Sequence, residues 1–219
     1  GDIIVVAHKI VSKAEGRTLQ LKNVKPSSRA QELSKLTMKD PRQVELILQD
    51  ARRIVKAIPK ILIVENHSGF VCLNAGVDKS NVEGKDVYTL LPTDSDKSAR
   101  EIRSQIHKLT GKNVAVIICD TYSRPFRRGQ VEFAIGIAGL KPFRDYRGKK
   151  DLFSYVMKVK NSAIADEIAS AAELLMGQGD EGIPVVIIKN LKEVETAEAV
   201  SASELLISEK EDLFKGTLP

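Results

Sequence analysis

The segment ICDTYSRPFRRGQ, residues 118–130, sets one acid, Asp120, at the end of an apolar run. Thr121 follows it, and three guanidiniums stand close by at Arg124, Arg127 and Arg128. Carboxylate and hydroxyl oxygens are ligands for hard divalent ions, and guanidiniums fork onto phosphate or carboxylate groups. The same residues would equally make an ion-paired turn, with Asp120 bridged to Arg124 and Pro125 bending the chain. A second acid, Asp78, lies in the polar loop NAGVDKSN, residues 74–81, where an Asx turn explains it as well as a ligand role does. Two carboxylates from separate loops, joined by Thr121, would form an oxygen set for Mg²⁺ or Mn²⁺. Such ions accompany phosphates because they neutralise charge on a transferred phosphoryl group. A third polar stretch, MGQGDEG at residues 176–182, fits a helix C-cap and turn as readily as a phosphate-binding loop. His8, Lys9 and Lys13 trail the first apolar run, as surface charge or as cations for phosphate.

Several chemistries are excluded by pattern. No G-x-x-x-x-G-K-[ST] occurs, so a Walker-type NTPase is ruled out. No constellation fits a serine nucleophile, a zinc site or a catalytic thiol. Cys72 and Cys119 lie inside apolar runs, as buried reduced thiols do.

The elements that must carry these loops are expected as follows. Residues 2–10 are rich in β-branched side chains and predict a buried strand, with SKAEGR as its polar exit. A helix over 26–36 is capped by Ser27 or Ser28. A second begins at Asp40-Pro41 and follows Val44, Leu46, Ile47, Ile54, Val55 and Ile58 up to Pro59. Residues 60–64 and 70–73 predict a hairpin, and 87–91 a strand. Ser95 or Asp96 caps a helix to Thr110, with Gly111 as its stop. Residues 114–119 predict a buried strand, with Asp120 just beyond it. The run VEFAIGIAGL is ambiguous between a strand and a glycine-bent segment. Residues 152–160 read as a strand, and 162–176 as a helix with Ile164, Ile168, Ala171 and Leu175 on one face. A strand over 183–189 and a charged helical tail over 201–214 complete an α+β arrangement of mixed sheets and helices.

Of the 219 residues 42% are hydrophobic, enough for one large domain or two small ones. The balance of 34 basic and 29 acidic residues, net +5, suits a polyanionic ligand such as a nucleotide. Aromatic residues are 5% and Trp is absent, which argues against a nucleic-acid-binding module. No apolar stretch approaches the roughly 20 residues of a membrane span, and no signal peptide opens the sequence. A cytoplasmic location is expected.

Five stretches, VSKAEGR, VCLNAGVDKSNV, DTYSRPFRRGQVEFAIGIAG, DYRGKKDL and ADEIASAAELLMGQGDEGIPVVII, taken in order, resemble the coenzyme F420-0:L-glutamate ligase family. The resemblance runs from about residue 2 to residue 190 and predicts a single ligase-like domain over residues 1–219. It implies an α+β homodimer outside the Walker class. It further implies a GTP-dependent reaction in which the carboxylate of coenzyme F420-0 becomes an acyl phosphate and the amine of L-glutamate displaces phosphate. Carried onto matching positions, Asp78 and Asp120 would hold one Mg²⁺ or Mn²⁺, and Thr121 and Gln178 the second. His8, Lys9, Lys13, Asn81, Met176, Gly177, Gln178 and Gly179 would contact GTP. Arg124, Arg127 and Arg128 would face the anionic groups of the substrates. Two departures stand out: the sequence begins after a Gly-Leu-Pro-like leading stretch, and residue 178 is Gln where members of the family often have Glu. A neutral amide binds Mg²⁺ less strongly than a carboxylate, so the alternative is a nucleotide-binding relative with lost or altered ligase activity.

Overall fold

The structure is a computed structural model that describes residues 1–191, 194–208 and 210–212. The chain opens with β1 (Ile3–Ala7) and passes directly into α1 (His8–Ala14). β2 (Thr18–Gln20), α2 (Ser28–Thr37) and α3 (Pro41–Asp50) follow, then a meander of β3 (Ala51–Ile58), β4 (Ile61–Asn66) and β5 (Val71–Leu73). After β6 (Val87–Thr89) and α4 (Ser95–Thr110) comes the long hairpin of β7 (Ala115–Ser123) and β8 (Gln130–Ala138). β9 (Arg144–Asp145), β10 (Asn161–Ser162), α5 (Ile164–Met176) and β11 (Val185–Ile188) complete the named elements.

The sheet that carries the site has the order β11-β1-β7-β8. β1 and β7 are parallel, while β11 and β8 run antiparallel to their neighbours. The strands IIVVA and AVIIC are apolar at consecutive positions because both faces of the sheet are covered. On one face Ile117, Cys119 and Ile137 pack against Ile164, Ile168 and Ala172 of α5. On the other, Val116, Ile118 and Ile135 meet Ala99 and Ile102 of α4. A separate core of Leu46, Ile47, Leu62 and Val64 joins α3 to the β3-β4-β5 sheet, whose last strand leads into the loop of Asp78.

The mixed α+β class is as expected, as are the hairpin of β4 and β5 and the Gly111 stop, where φ is +71°. Several elements differ from the sequence pattern. Residues 8–10 belong to α1, not to the first strand: the Ala7 N–H turns to the Pro184 carbonyl, and Val11 and Ser12 become a buried helical face. The helix begun at Pro41 stops at Asp50, and residues 51–58 form β3. Ile54 and Val55 fit either period, and the turn at Lys60, with φ +67°, lets this segment pair with β4 instead. α4 is capped by Asp94, which accepts the Lys97 N–H. On α5 the buried side is Ile164, Ala165, Ile168, Ala169, Ala172 and Met176, whereas Ala171 and Leu175 face outward. The small alanines let the helix lie close to the sheet. Residues 152–160 are no strand: Asp151 accepts the N–H groups of Phe153 and Tyr155 and winds the segment into a turn. Leu152 is 97% exposed there. Of the expected tail helix, a 3-10 turn at Ala202–Leu205 is present; residues 209, 213 and 214 lie outside the described residues.

Ambiguity over VEFAIGIAGL resolves as strand β8 with a bulge. Ile118 pairs with Gly136 and Cys119 with Ala134, leaving Ile135 as the extra residue. Asp96 fastens this strand to the segment of Ser201 and Ala202. Its carboxylate accepts the Ile137 N–H at 2.8 Å, the Ser201 hydroxyl at 2.6 Å and the Ala202 N–H at 3.0 Å. Asp96→Ala leaves these donors without their acceptor and is expected to cost about 2 kcal/mol. In a thermal melt this corresponds to a fall of about 4–8 °C, and an unchanged midpoint would refute the clamp.

Candidate active site

β1 ends at Ala7, opposite Cys119, but β7 continues to Ser123. Beyond the end of β1 there is therefore a notch, with the β7 edge on one side, the start of α1 on another and the 176–184 loop on the third. It holds a cavity of about 350 Å³ whose walls include His8, Lys9, Lys13, Asp120, Thr121 and Glu132. Asn81 and the loop from Met176 to Gly179 also line it. Open sheets collect ligands at the carboxyl ends of their parallel strands, and β1 and β7 are the parallel pair. Asp120, expected just past the strand, lies within it, opposite Phe133.

α1 supplies the cations. His8, 3% exposed, places Nε2 3.2 Å from Asp120 Oδ1 and Nδ1 3.3 Å from the Ser12 hydroxyl. The same Asp120 oxygen accepts the Thr121 N–H at 2.8 Å. Lys9 Nζ lies 2.7 Å from Asp78 Oδ2 and donates to the Ser80 hydroxyl at 2.6 Å. Asp78 also forms the turn anticipated for it, accepting the Lys79 and Ser80 N–H groups and the Ser80 hydroxyl. Burial pushes the Asp78 carboxyl upward, but Lys9 and the Ser80 donors outweigh it, and the group sits below its usual range. Lys13 donates to the Asn81 carbonyl at 2.6 Å, and the Asn81 amide donates to the Gln178 carbonyl at 3.5 Å. The loop of Asp78 and Asn81 is thus tied to α1 and to the glycine-rich loop. Asp120 is in the cavity wall; Asp78 is held by Lys9, outside it.

On the opposite face of β7 stands a residue that the sequence reading missed. Glu132, 5% exposed, lies across the ladder from Thr121. Its Oε1 accepts the Thr121 hydroxyl at 2.7 Å and the Gln178 amide N–H at 2.9 Å. Thr121 Oγ1 is also 3.1 Å from Gln178 Oε1. The only hint in the sequence is a single acid inside the apolar run of β8.

Among the described residues no group of three or more His, Cys, Asp and Glu side chains is arranged to hold a metal ion. Two oxygen donors that fit one are neutral. Thr121 Oγ1 and Gln178 Oε1 are separated by 3.1 Å, near the edge of about 2.9 Å that octahedral Mg²⁺ sets for adjacent ligands at its usual bond length.

Residues 1–190 match the family described as F420-0:Gamma-glutamyl ligase. Similar proteins carry the name coenzyme F420:L-glutamate ligase. The one from Methanopyrus kandleri is 46% identical over 217 residues, covering 98% of this chain and 86% of its own. That from Methanocaldococcus jannaschii is 50% identical over 189 residues, 86% of this chain and 75% of its own. The Methanothermobacter thermautotrophicus protein is 44% identical over 216 residues, 99% of this chain and 85% of its own. The chain belongs to the F420-0:gamma-glutamyl ligase family.

In this F420-0:gamma-glutamyl ligase family member, the three arginines are not gathered at the notch. They sit in the turn between β7 and β8, where Arg127 and Arg128 are exposed and Arg124 donates to the Arg128 carbonyl at 3.4 Å. Among the described residues the cavity walls include none of the three. The glycine-rich loop of this family member is folded around its own acid: Glu181 accepts the Gly179 N–H at 2.8 Å and packs against Gly177, whose φ is +65°. Both thiols are free and buried, as expected. Burial pushes Cys72 up to about 12 and Cys119 well above its ordinary value, which leaves neither as a nucleophile near neutral pH. Among the described residues no helix is long and apolar enough to cross a membrane.

Proposed function

We propose that this protein is a GTP- and divalent-metal-dependent amide ligase that adds L-glutamate to coenzyme F420-0. The observation that carries the reading is the single notch where Lys9, Lys13, Asn81 and the Gly177–Gly179 backbone meet Asp120, Thr121 and Gln178. Lysine ammoniums are suited to nucleotide phosphates, and the oxygens of Asp120, Thr121 and Gln178 to Mg²⁺ or Mn²⁺. When bound, such an ion would neutralise charge on the transferred phosphoryl group. Asp78 joins this proposal as the acid that fixes Lys9. The carboxylate of F420-0 attacks the γ-phosphorus of GTP, the bond to the β-phosphate oxygen breaks, and GDP leaves. The glutamate amine then attacks the acyl carbon, phosphate departs, and the ammonium protons pass to solvent. Products are the amide, GDP and phosphate. Homodimerisation is part of the proposal, supported by apolar surface that one chain leaves uncovered, including Phe153, 92% exposed, and Val159, 88% exposed.

A nucleotide-binding relative with altered activity is the second reading, favoured by the neutral amide at Gln178. Incubation with F420-0, GTP, Mn²⁺ and L-glutamate separates the two. The expected result is a mass gain of one glutamyl unit with equal release of GDP and phosphate. GTP binding without any amide product would establish the second reading.

A further inference from the structure

We infer that Glu132 is a positioning residue that turns the Thr121 and Gln178 oxygens toward a divalent cation. The inference rests on the metal- and nucleotide-dependent reading above and concerns how two neutral ligands are made competent for it. Proton counting carries the argument. Thr121 has one hydroxyl proton and two oxygens within reach, Glu132 Oε1 at 2.7 Å and Gln178 Oε1 at 3.1 Å. The nearer and charged acceptor takes it. Glu132 also settles the orientation of the Gln178 amide, because a carboxylate must face its nitrogen rather than its oxygen. With both protons drawn to Glu132, Thr121 Oγ1 and Gln178 Oε1 are left as two acceptors at 3.1 Å with no proton between them. Two facing acceptors repel, and a cation between them relieves the repulsion.

Burial makes the arrangement rigid. Glu132 is 5% exposed, its backbone carbonyl accepts the Ser170 hydroxyl of α5 at 2.8 Å, and its strand partner is Thr121 itself. Among the described residues it has no hydrogen bond from Lys, Arg or His in the structure; Thr121 and Gln178 donate to it, and the buried Cys119 thiol lies beside it. A residue one step removed from a metal commonly controls its ligands in this way.

The test is Mn²⁺ titration by calorimetry in the presence of a non-hydrolysable GTP analogue, with analogue binding in EDTA measured alongside. In Glu132→Gln the new amide can donate to Gln178, whose own amide then flips and presents N–H groups to the cation. Mn²⁺ affinity is expected to fall about 10–100-fold, with metal-free analogue binding unchanged. The exchange Glu132→Gln/Gln178→Glu leaves no N–H at residue 178 to face the cation, and affinity is expected to recover. Should Glu132→Gln not fold, Gln178→Leu, which deletes the same amide, is expected to show the same loss. Unchanged Mn²⁺ affinity, equal loss of metal-free binding, or an exchange variant no better than the single one would each overturn the inference. Wild-type binding of the analogue that ignores Mn²⁺ would instead overturn the metal-dependent reading itself, and this inference with it.

Discussion

Asp120→Asn is expected to lower ligase turnover by about 10²–10³-fold or more while shifting the melting temperature by only a few degrees. The side chain is 3.2 Å from His8 Nε2 and accepts the Thr121 N–H, and asparagine has the same shape. Its oxygen still accepts that N–H, so the local fold of β7 survives. What it loses is the negative charge in the wall of a cavity that also holds Lys9 and Lys13. If that charge holds a cation at the reacting phosphate, its removal acts on the transition state more than on stability. Steady-state rates and thermal melts on the same preparation decide the matter. A variant that loses several kcal/mol of stability, with activity falling only in proportion to folded protein, would return Asp120 to the role of an ion-pair partner for His8.

Gly136→Ala is expected to be among the most destabilising single-methyl changes in the molecule. A Cβ on residue 136 would stand 2.4 Å from the Ser95 carbonyl oxygen and 2.5 Å from its carbon. These are backbone atoms at the start of α4, so no side chain can rotate away. Either α4 lifts from the sheet or β8 bends, and the Asp96 bond to the Ile137 N–H lies directly in the path of either movement. Overpacking of this kind costs about 1–3 kcal/mol, occasionally more, and the upper end applies here. At about 3 kcal/mol the melting temperature of a chain of this size falls by roughly 6–12 °C. A melt indistinguishable from wild type would show that the helix and strand are not in backbone contact.

The parts of this fold legible in the sequence are those where one local signal dominates. Asp40-Pro41, Gly111 and the apolar runs of β1, β7 and β11 each specify their element with little help from elsewhere. Residues 51–58 were illegible because Ile54, Val55 and Ile58 satisfy both periods, and only pairing with β4, a long-range event, decides between them. β8 was ambiguous for a different reason. The bulge puts Ile135 and Gly136 consecutively on the α4 face, so Ala134 and Ile137 fall three apart and strict alternation is lost. In the site, loops and strand ends draw attention to Asp120, Thr121, Lys9 and Lys13, which line one cavity with Asn81, a residue singled out only through the family resemblance. The arginines drew the same attention, yet they crown a turn away from the notch. Glu132 escaped because its meaning lies in what stands across the ladder, and Gln178 was noticed only by comparison with a family pattern.

Because pairing beyond the bulge fixes which face each residue of β8 takes, the length of chain between Ile135 and Glu132 is as restrictive as the residues themselves. One amino acid added or removed there would turn Glu132 from Thr121 toward α4 and bring a neighbour, such as Phe133, into its place. The same holds on β7 between Cys119 and Thr121, where an insertion would exchange the faces of Asp120 and Thr121. The 124–129 turn lies outside both intervals and can change length without altering either face. Divergent copies of this hairpin are therefore free to lengthen at its tip but not along its arms, and a count of residues, more than a comparison of their identities, would tell whether the notch has kept its chemistry.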